Sequence, residues 1–260
     1  MERKGKADGN GNGQGTAKGE ADGSKEENGD QKRKNNRWWG TRRSTGSSTG
    51  EGVPIRFGTY NIRNGRNRRL ESEIRGMAQA NMDLGIFQET KCTDGIYTRE
   101  SAGYSVVATD APSRHCGRVA VFYRPSPLFA VEAVHQFGSN IVGFQMETGA
   151  RRWYIIGCHL APDDTSTIES VVAALKERPQ GTALIVAGDI NTNLSDTENS
   201  GRGTEIAAAL TEAGLEDMEA HFLPRKHRWG RERRTWSMVR EGKVVRSRTD
   251  YILGTDRRLL

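Results

Sequence analysis

The sequence of 260 residues lacks two features that would assign it to a membrane or secreted class. No apolar run approaches the ~18 residues of a membrane span, and the first residues contain no apolar core of a secretory signal. Cysteine is scarce, with only Cys92, Cys116 and Cys158, and no Cys-x-x-Cys spacing. An odd, dispersed set of cysteines argues against a disulfide partner or a zinc centre. We therefore expect an intracellular protein, nuclear or cytoplasmic, with no membrane span.

Large aliphatic side chains are missing from residues 1–52, which contain no Val, Ile, Leu or Phe but 12 Gly. Such a segment cannot bury enough apolar surface to offset the entropy lost on ordering, so we predict a disordered tail. The tail is basic, with 11 Lys and Arg against 8 Asp and Glu. Its cluster QKRKNNR, residues 31–37, is either a solvated polar stretch or a nuclear address or nucleic-acid tether.

Residues 53–260 read as one folded domain in which strand and helix signals alternate. Helical spacing of apolar residues predicts helices over 69–82, 165–179 and 203–215. The remaining apolar runs are short, closely spaced and rich in β-branched and aromatic residues, which is typical of strands. The last of them, 233–255, is predicted to be one hairpin with a Glu241-Gly242 turn. Many strands with three helices favour two sheets packed face to face, with the helices outside.

Polar side chains stand where several predicted strands end. A carboxylate at the end of a buried strand is costly unless something compensates its charge. Each such residue, taken singly, is also typical of a turn or a structural role. Together they supply hard oxygen ligands, amide donors and a proton carrier, a set that suits Mg²⁺ or Mn²⁺ rather than zinc. They are Asn61, Glu89, His159, Asp189, Asn191 and Asp250.

Four stretches carry a family resemblance by their order and spacing. TYNIR (59–63), FQET (87–90), GDIN (188–191) and TDYIL (249–253) together resemble the endonuclease/exonuclease/phosphatase superfamily, which includes deoxyribonuclease I and exonuclease III-like enzymes. The resemblance runs from about residue 54 to residue 260. It is closest to non-LTR retrotransposon and craniofacial-development-protein-2-like endonuclease domains. The fold that it implies is a four-layer α/β sandwich of two mixed β-sheets flanked by helices.

The resemblance also implies a role for each polar residue at a matching position. Glu89 is the implied Mg²⁺ (or Mn²⁺) ligand, and Asn61 lies beside it at the metal or the phosphate. Asp189 is implied to orient or activate the attacking water. Asn191 is implied to donate to a non-bridging phosphate oxygen.

Two further positions complete the implied site. His159, in YIIGCHLAPDD (154–164), resembles the catalytic histidine of the deoxyribonuclease I branch and would act as an acid toward the leaving oxygen. Asp250 is implied to orient a second histidine, which the family carries in a Ser/Thr-Asp-His motif on a last strand. No such motif follows Asp250 before Leu260. The expectation is therefore a domain that lacks its C-terminal strand, through truncation or decay.

A basic stretch, 225–248, precedes Asp250 with ten Lys and Arg against two Asp and Glu. Cations interleaved with aromatic residues are typical of a surface that follows a phosphate backbone. A solvated hairpin is the alternative. The predicted nucleic-acid-binding residues are Arg231, Arg233, Arg234, Trp236, Arg246 and Arg248.

The leading functional hypothesis is a Mg²⁺-dependent DNA endonuclease of retroelement type. Its partner would be DNA or RNA, and a longer reading frame would fuse it to a reverse transcriptase. One alternative is a phosphatase or phospholipase of the same superfamily, acting on inositol phosphates or sphingomyelin. The other is a nucleic-acid-binding remnant that keeps the fold but not turnover.

Overall fold

The structure is a computed structural model. It describes residues 55–62, 67–91, 97–101, 103–109, 119–126, 129–148, 151–161, 166–194, 201–218, 236–240, 243–247 and 249–256. The tail predicted over residues 1–52 lies outside these ranges and remains a prediction.

Three helices and thirteen strands are present in the described part of the chain. The helices are α1 (Asn67–Gln79), α2 (Ser166–Lys176) and α3 (Gly201–Glu212). The strands are β1 (Phe57–Asn61), β2 (Leu84–Gln88), β3 (Tyr97–Ser101), β4 (Tyr104–Ala108), β5 (Val119–Tyr123), β6 (Phe129–Gln136), β7 (Ile141–Thr148), β8 (Arg151–His159), β9 (Ala183–Asp189), β10 (Glu216–Asp217), β11 (Trp236–Arg240), β12 (Lys243–Ser247) and β13 (Asp250–Gly254). Within these ranges, no helix is long and apolar enough to cross a membrane.

The strands form two mixed sheets and a separate two-stranded ribbon. The first sheet has the order β1-β2-β5-β4-β3, and the second has the order β10-β13-β9-β8-β7-β6. Strand β1 runs parallel to β2, and β8 runs parallel to β9, while the other pairings are antiparallel. Strands β11 and β12 pair only with each other among the described strands.

Three apolar clusters separate four layers. The cluster between α1 and the first sheet includes Ile74, Met77 and Phe122. The central cluster joins the inner faces of the two sheets. The third cluster packs α2 and α3 against the second sheet, for example through Val171 and Leu210. The order helix, sheet, sheet, helix confirms the predicted four-layer sandwich of two mixed sheets.

The prediction of a single hairpin over 233–255 is wrong. Its second strand is two separate strands in the structure, β12 and β13, which belong to different sheets. Strand β12 ends at Ser247, and the chain then enters the second sheet as β13. There β13 pairs antiparallel with β9, so that Asp250 lies opposite Asp189. Local sequence indicated extended backbone throughout, but it did not indicate that the two halves find different partners.

Candidate active site

Five of the predicted residues meet at one edge of the sandwich, where strands of both sheets end. Asn61 is the last residue of β1, and Glu89 follows β2 directly. His159 and Asp189 are the last residues of β8 and β9, which run parallel, so both side chains reach the same sheet edge. Asn191 lies two residues beyond the end of β9.

Asn61 joins the two sheets through its side-chain amide. Its Nδ2 donates to Oε1 of Glu89 at 3.0 Å and to Oδ2 of Asp189 at 2.7 Å. One amide nitrogen carries two hydrogens, so a single side chain serves both carboxylates. The distance between the two acidic groups is therefore set by the packing of the two sheets.

The carboxylate of Asp189 is buried, with the residue only 6% exposed. Its Oδ2 accepts from Asn61, and its Oδ1 accepts the backbone N–H of Asn191 at 2.9 Å. Burial of a charge is costly unless it is hydrogen-bonded. Both oxygens of this carboxylate have a donor, which accounts for its stability at the end of an apolar strand.

Two site residues adopt a left-handed backbone that non-glycine residues seldom occupy. Glu89 has a φ of 56° and Asn191 a φ of 52°. Asn tolerates this conformation well, whereas for Glu it costs on the order of 1 kcal/mol or more. Such strain persists where surrounding contacts impose it, and the polar contacts of this sheet edge hold both residues.

Gly188 allows β9 to reach the site. Its φ is 149°, and a Cβ at this position would lie 1.8 Å from the carbonyl oxygen of Cys158. Only glycine fits a positive φ with so close an approach of backbone to backbone. The Gly-Asp order in GDIN therefore has a steric origin.

His159 stands between the acidic pair and Asn191. Its Nε2 lies 3.4 Å from Nδ2 of Asn191 and 3.9 Å from Oε1 of Glu89. The residue is 8% exposed, and its Nδ1 is buried without a hydrogen-bond partner among the described residues. Its backbone N–H donates to the carbonyl of Asn140 at 2.9 Å, which holds this end of β8 against the turn between β6 and β7.

Asp250 and the basic stretch are placed less completely. Asp250 begins β13 opposite Asp189, at the same sheet edge. Arg231, Arg233, Arg234 and Arg248 lie outside the described residues.

The β11–β12 ribbon carries the remaining two members of the basic set, Trp236 and Arg246. Trp236 pairs with Ser247, and Arg246 pairs with Ser237.

The donor set at the sheet edge suits a hard divalent cation. Within the described ranges no three His, Cys, Asp or Glu side chains gather into a metal-binding group, and the carboxylates that Asn61 bridges are those of Glu89 and Asp189. No Lys or Arg of the described residues lies within ion-pair distance of either carboxylate. Mg²⁺ is typically bound by one or two carboxylates and completes its shell with water and phosphate oxygens. The residues present fit that pattern, with Glu89 the more accessible ligand at 30% side-chain exposure.

Tyr251 is a residue at this edge that sequence reasoning missed. Its hydroxyl accepts the backbone N–H of Leu194 at 2.9 Å, just beyond Asn191. The sequence signal was weak because Tyr251 follows Asp250 in an apolar run and reads as core. It is indeed buried, and its hydroxyl contacts the turn that follows β9.

Comparison with known proteins identifies the class. The family model described as the endonuclease/exonuclease/phosphatase family matches residues 58–260. The chain therefore belongs to the endonuclease/exonuclease/phosphatase family, as the four sequence stretches predicted. Among curated proteins, none matches the chain.

Solved structures with the same fold include several DNA-processing proteins. The endonuclease domain of TRAS1, a telomere-specific non-LTR retrotransposon, is 22% identical with a TM-score of 0.58, covering 78% of this chain and 86% of that one. The AP endonuclease LMAP from Leishmania major is 14% identical with a TM-score of 0.53, covering 78% and 79%. The 3′ phosphatase NExo from Neisseria, bound to a product DNA hairpin, is 16% identical with a TM-score of 0.55, covering 76% and 86%. At these identities the likeness shows the fold alone.

Proposed function

We propose that this chain is a Mg²⁺- or Mn²⁺-dependent phosphodiesterase that cuts DNA internally, in the manner of a retroelement endonuclease. The observation that carries the proposal is the amide of Asn61, which holds Glu89 and Asp189 together at the edge shared by both sheets. Two carboxylates held together, one buried and one half-buried, with no described Lys or Arg beside them, suit the binding of a cation and a phosphate. The resemblance of the C-terminal stretch RTWSMVREGKVVRSRTDYILGT (234–255) to retrotransposon domains supports the substrate class.

Each side chain has a task that its position permits. Glu89 and Asn61 would hold the cation, which when bound supplies positive charge to the phosphate and its attacking water. Asp189, with both oxygens fixed, would orient the water and accept its proton. Asn191 would donate its amide to a non-bridging oxygen as negative charge develops there. His159 would act as an acid toward the leaving oxygen.

The proposed DNA partner is supported by the charge of the stretch that precedes Asp250 in the sequence. The ten cations of residues 225–248 lead directly into Asp250, and part of this stretch forms the β11–β12 ribbon. A basic two-stranded ribbon has the width that a DNA major groove admits. As part of the same proposal, the chain would act in the nucleus or the cytoplasm and would be fused to a reverse transcriptase in a longer reading frame.

The substrate class is tested by comparing hydrolysis of three phosphodiester or phosphate substrates. Supercoiled plasmid, a soluble inositol phosphate and sphingomyelin vesicles would each be incubated with the full chain and millimolar Mg²⁺, which suits weakly held magnesium. Plasmid nicking that EDTA abolishes and Mg²⁺ or Mn²⁺ restores is expected. Preferential hydrolysis of either other substrate would favour the phosphatase or phospholipase alternative, and DNA binding without any turnover would favour the remnant.

The basic stretch is tested by the salt dependence of duplex DNA binding. Replacing Arg231, Arg233 and Arg234 together by Ala should flatten the slope of log K against log salt by up to ~3 phosphate equivalents. The matched control replaces three exposed cations away from the site: Arg151 and Arg152 at the start of β8, and Lys176 at the end of α2. Equal slopes for wild type and the first variant would indicate that the basic stretch is a solvated hairpin that does not bind DNA.

A further inference from the structure

The turn that follows β9 is hydrogen-bonded at one end to the residue before β13 and at the other end to β13 itself. At the first end, Ile190 donates its N–H to the carbonyl of Thr249 at 2.8 Å. At the second end, Leu194 donates its N–H to the hydroxyl of Tyr251 at 2.9 Å. The same hydroxyl donates to Oδ1 of Asn193 at 3.3 Å. A backbone hydrogen bond at one end and a side-chain hydroxyl at the other thus join the turn to this part of the chain.

Asn191 lies between these two ties. Its left-handed backbone, at a φ of 52°, directs its N–H to Oδ1 of Asp189. Its side-chain amide lies beside Nε2 of His159. The position of this residue therefore determines a contact to the acidic pair and a contact to the imidazole.

Tyr251 is a rigid anchor for the second tie. The residue is 2% exposed, and its ring belongs to the apolar cluster under α2 and α3. It lies opposite Gly188 in the register of β9 and β13, one position from the pair formed by Asp250 and Asp189. A ring held in the core cannot follow the turn outward, so its hydroxyl sets where the turn ends.

We propose that Tyr251 is a positioning residue, whose hydroxyl holds the turn 190–194 so that Asn191 keeps its contacts to Asp189 and His159. The proposal rests on the proposed phosphodiester hydrolysis for its consequence in catalysis. Its structural part stands on the hydrogen bonds alone.

The test removes one oxygen atom, in Tyr251→Phe. The chain offers a matched control in Tyr154→Phe, because Tyr154 is buried on β8 in the same apolar cluster and its hydroxyl has no hydrogen-bond partner among the described residues. Amide hydrogen exchange of the full chain, resolved by residue with NMR, is the first measurement. The amides of Ile190, Asn191 and Leu194 report the first tie, the contact to Asp189 and the second tie.

In Tyr251→Phe, we expect exchange at Leu194 and Asn191 to accelerate roughly 3- to 10-fold, as expected for the net loss of one hydrogen bond. Ile190 should change less than about twofold, and Tyr154→Phe should leave all three amides unchanged, since no tie is removed there. Faster exchange at Leu194 with Asn191 unchanged would make Tyr251 merely structural and overturn the proposal. Unchanged exchange at Leu194 would show that the hydroxyl does not hold the turn, which also overturns it.

Plasmid nicking is the second measurement. Tyr251→Phe should lower kcat roughly 10-fold with KM nearly unchanged, because binding groups stay while a reacting geometry is lost. In the Asn191→Ala background, the same change should cost less than about twofold, since the positioned amide is already gone. An equal loss in both backgrounds would contradict positioning through Asn191. If the wild-type chain does not nick DNA at all, the proposed function fails, and the exchange at Asn191 alone decides the role of Tyr251.

Discussion

Asn61 donates a 2.7 Å hydrogen bond to Asp189 across 128 positions of sequence. The two residues end strands of different sheets, β1 and β9. Their contact therefore depends on how closely the sheets pack. The chemistry of the site and the central apolar cluster are coupled through this distance.

Gly157 on β8 provides a direct test of that coupling. A Cβ there would lie 2.9 Å from Cγ2 of Ile86 on β2, the strand that leads to Glu89. Gly157→Ala should destabilise the fold by ~1–3 kcal/mol through overpacking and should reduce nicking as the sheets move apart. The control is Gly201→Ala, where an added Cβ meets nothing within 4 Å. Urea unfolding that gives equal stabilities for the two variants would show that the sheets accommodate the methyl group without separating.

A substitution at Gly188 should destabilise the fold more than one at Gly157, and by a different mechanism. Gly188→Ala adds both an unfavourable positive φ and a clash with the Cys158 carbonyl, whereas Gly181→Ala adds only the positive φ of 79° in open space. We expect Gly181→Ala to cost ~1–2 kcal/mol, and Gly188→Ala to cost more and to abolish nicking. Melting transitions and plasmid assays of the pair measure this. Similar stability losses in both variants would refute the close approach of β9 to β8.

Replacing Tyr154 by Phe should stabilise the fold. Its hydroxyl is buried without a partner among the described residues, and burial raises its pKa to about 12, with Glu177 adding to the shift. Tyr154→Phe should raise the free energy of unfolding by ~1 kcal/mol, because an unsatisfied buried polar group is removed.

The neighbouring Gly143 completes a double-mutant cycle with Tyr154. A Cβ on Gly143 would lie 2.4 Å from the Tyr154 hydroxyl. Gly143→Ala should therefore cost ~1 kcal/mol more in the wild-type background than in Tyr154→Phe. Equal costs, measured by urea unfolding, would show that this hydroxyl does not limit the space at Gly143.

The buried thiol of Cys158 should make the stability of the fold depend on pH. Burial, with a smaller contribution from Asp189, raises the thiol pKa from 9.0 to about 12. Because the folded-state pKa lies above the unfolded-state value, the contribution of this thiol to stability is complete below pH 9 and is lost as the pH rises toward 12. Stability should thus fall more steeply above pH 9 in wild type than in Cys158→Ala.

Alkylation gives an independent measurement of the same thiol. At pH 8, iodoacetamide should modify Cys158 slowly in the folded chain and rapidly in urea, because the thiolate is the reactive form. Mass spectrometry of the peptide containing Cys158 distinguishes it from the other cysteines. Equally fast modification in both states would contradict its burial.

Much of the sandwich was predictable because buried strands here are short β-branched runs, as in ALIVAGD of β9. The placement of Asp250 at the same sheet edge as the other polar residues followed from its place before an apolar run, because an antiparallel strand begins where its neighbour ends. Strand β6 lacks the regular alternation of a strand, and the cause is visible in its register. A bulge between Glu132 and Val134 interrupts the alternation, so the half-buried Val131 and Val134 stand three positions apart rather than two.

Other features of the site were beyond reach of the sequence because they depend on tertiary contacts. The strand ends predicted which side chains share an edge. The bridge from Asn61 to both carboxylates follows only from the packing of two sheets. The hydrogen bond between Tyr251 and Leu194 likewise joins residues that are 57 positions apart in the sequence. Tyr251 lies on β13, and the sequence did not indicate which strand pairs with β13.

We propose that Glu89 and the residues bridged to it form a cation-dependent phosphodiesterase site. The most direct measurement is Mg²⁺-dependent plasmid nicking by Glu89→Ala, compared with Glu147→Ala, which removes an acidic side chain whose described partner is the exposed Arg152 at 2.6 Å. Glu89→Ala should lose nicking by at least ~100-fold, as expected when transition-state charge loses its stabilisation, with an unchanged circular dichroism spectrum. Glu147→Ala should nick like wild type. Undiminished nicking by Glu89→Ala would contradict the site.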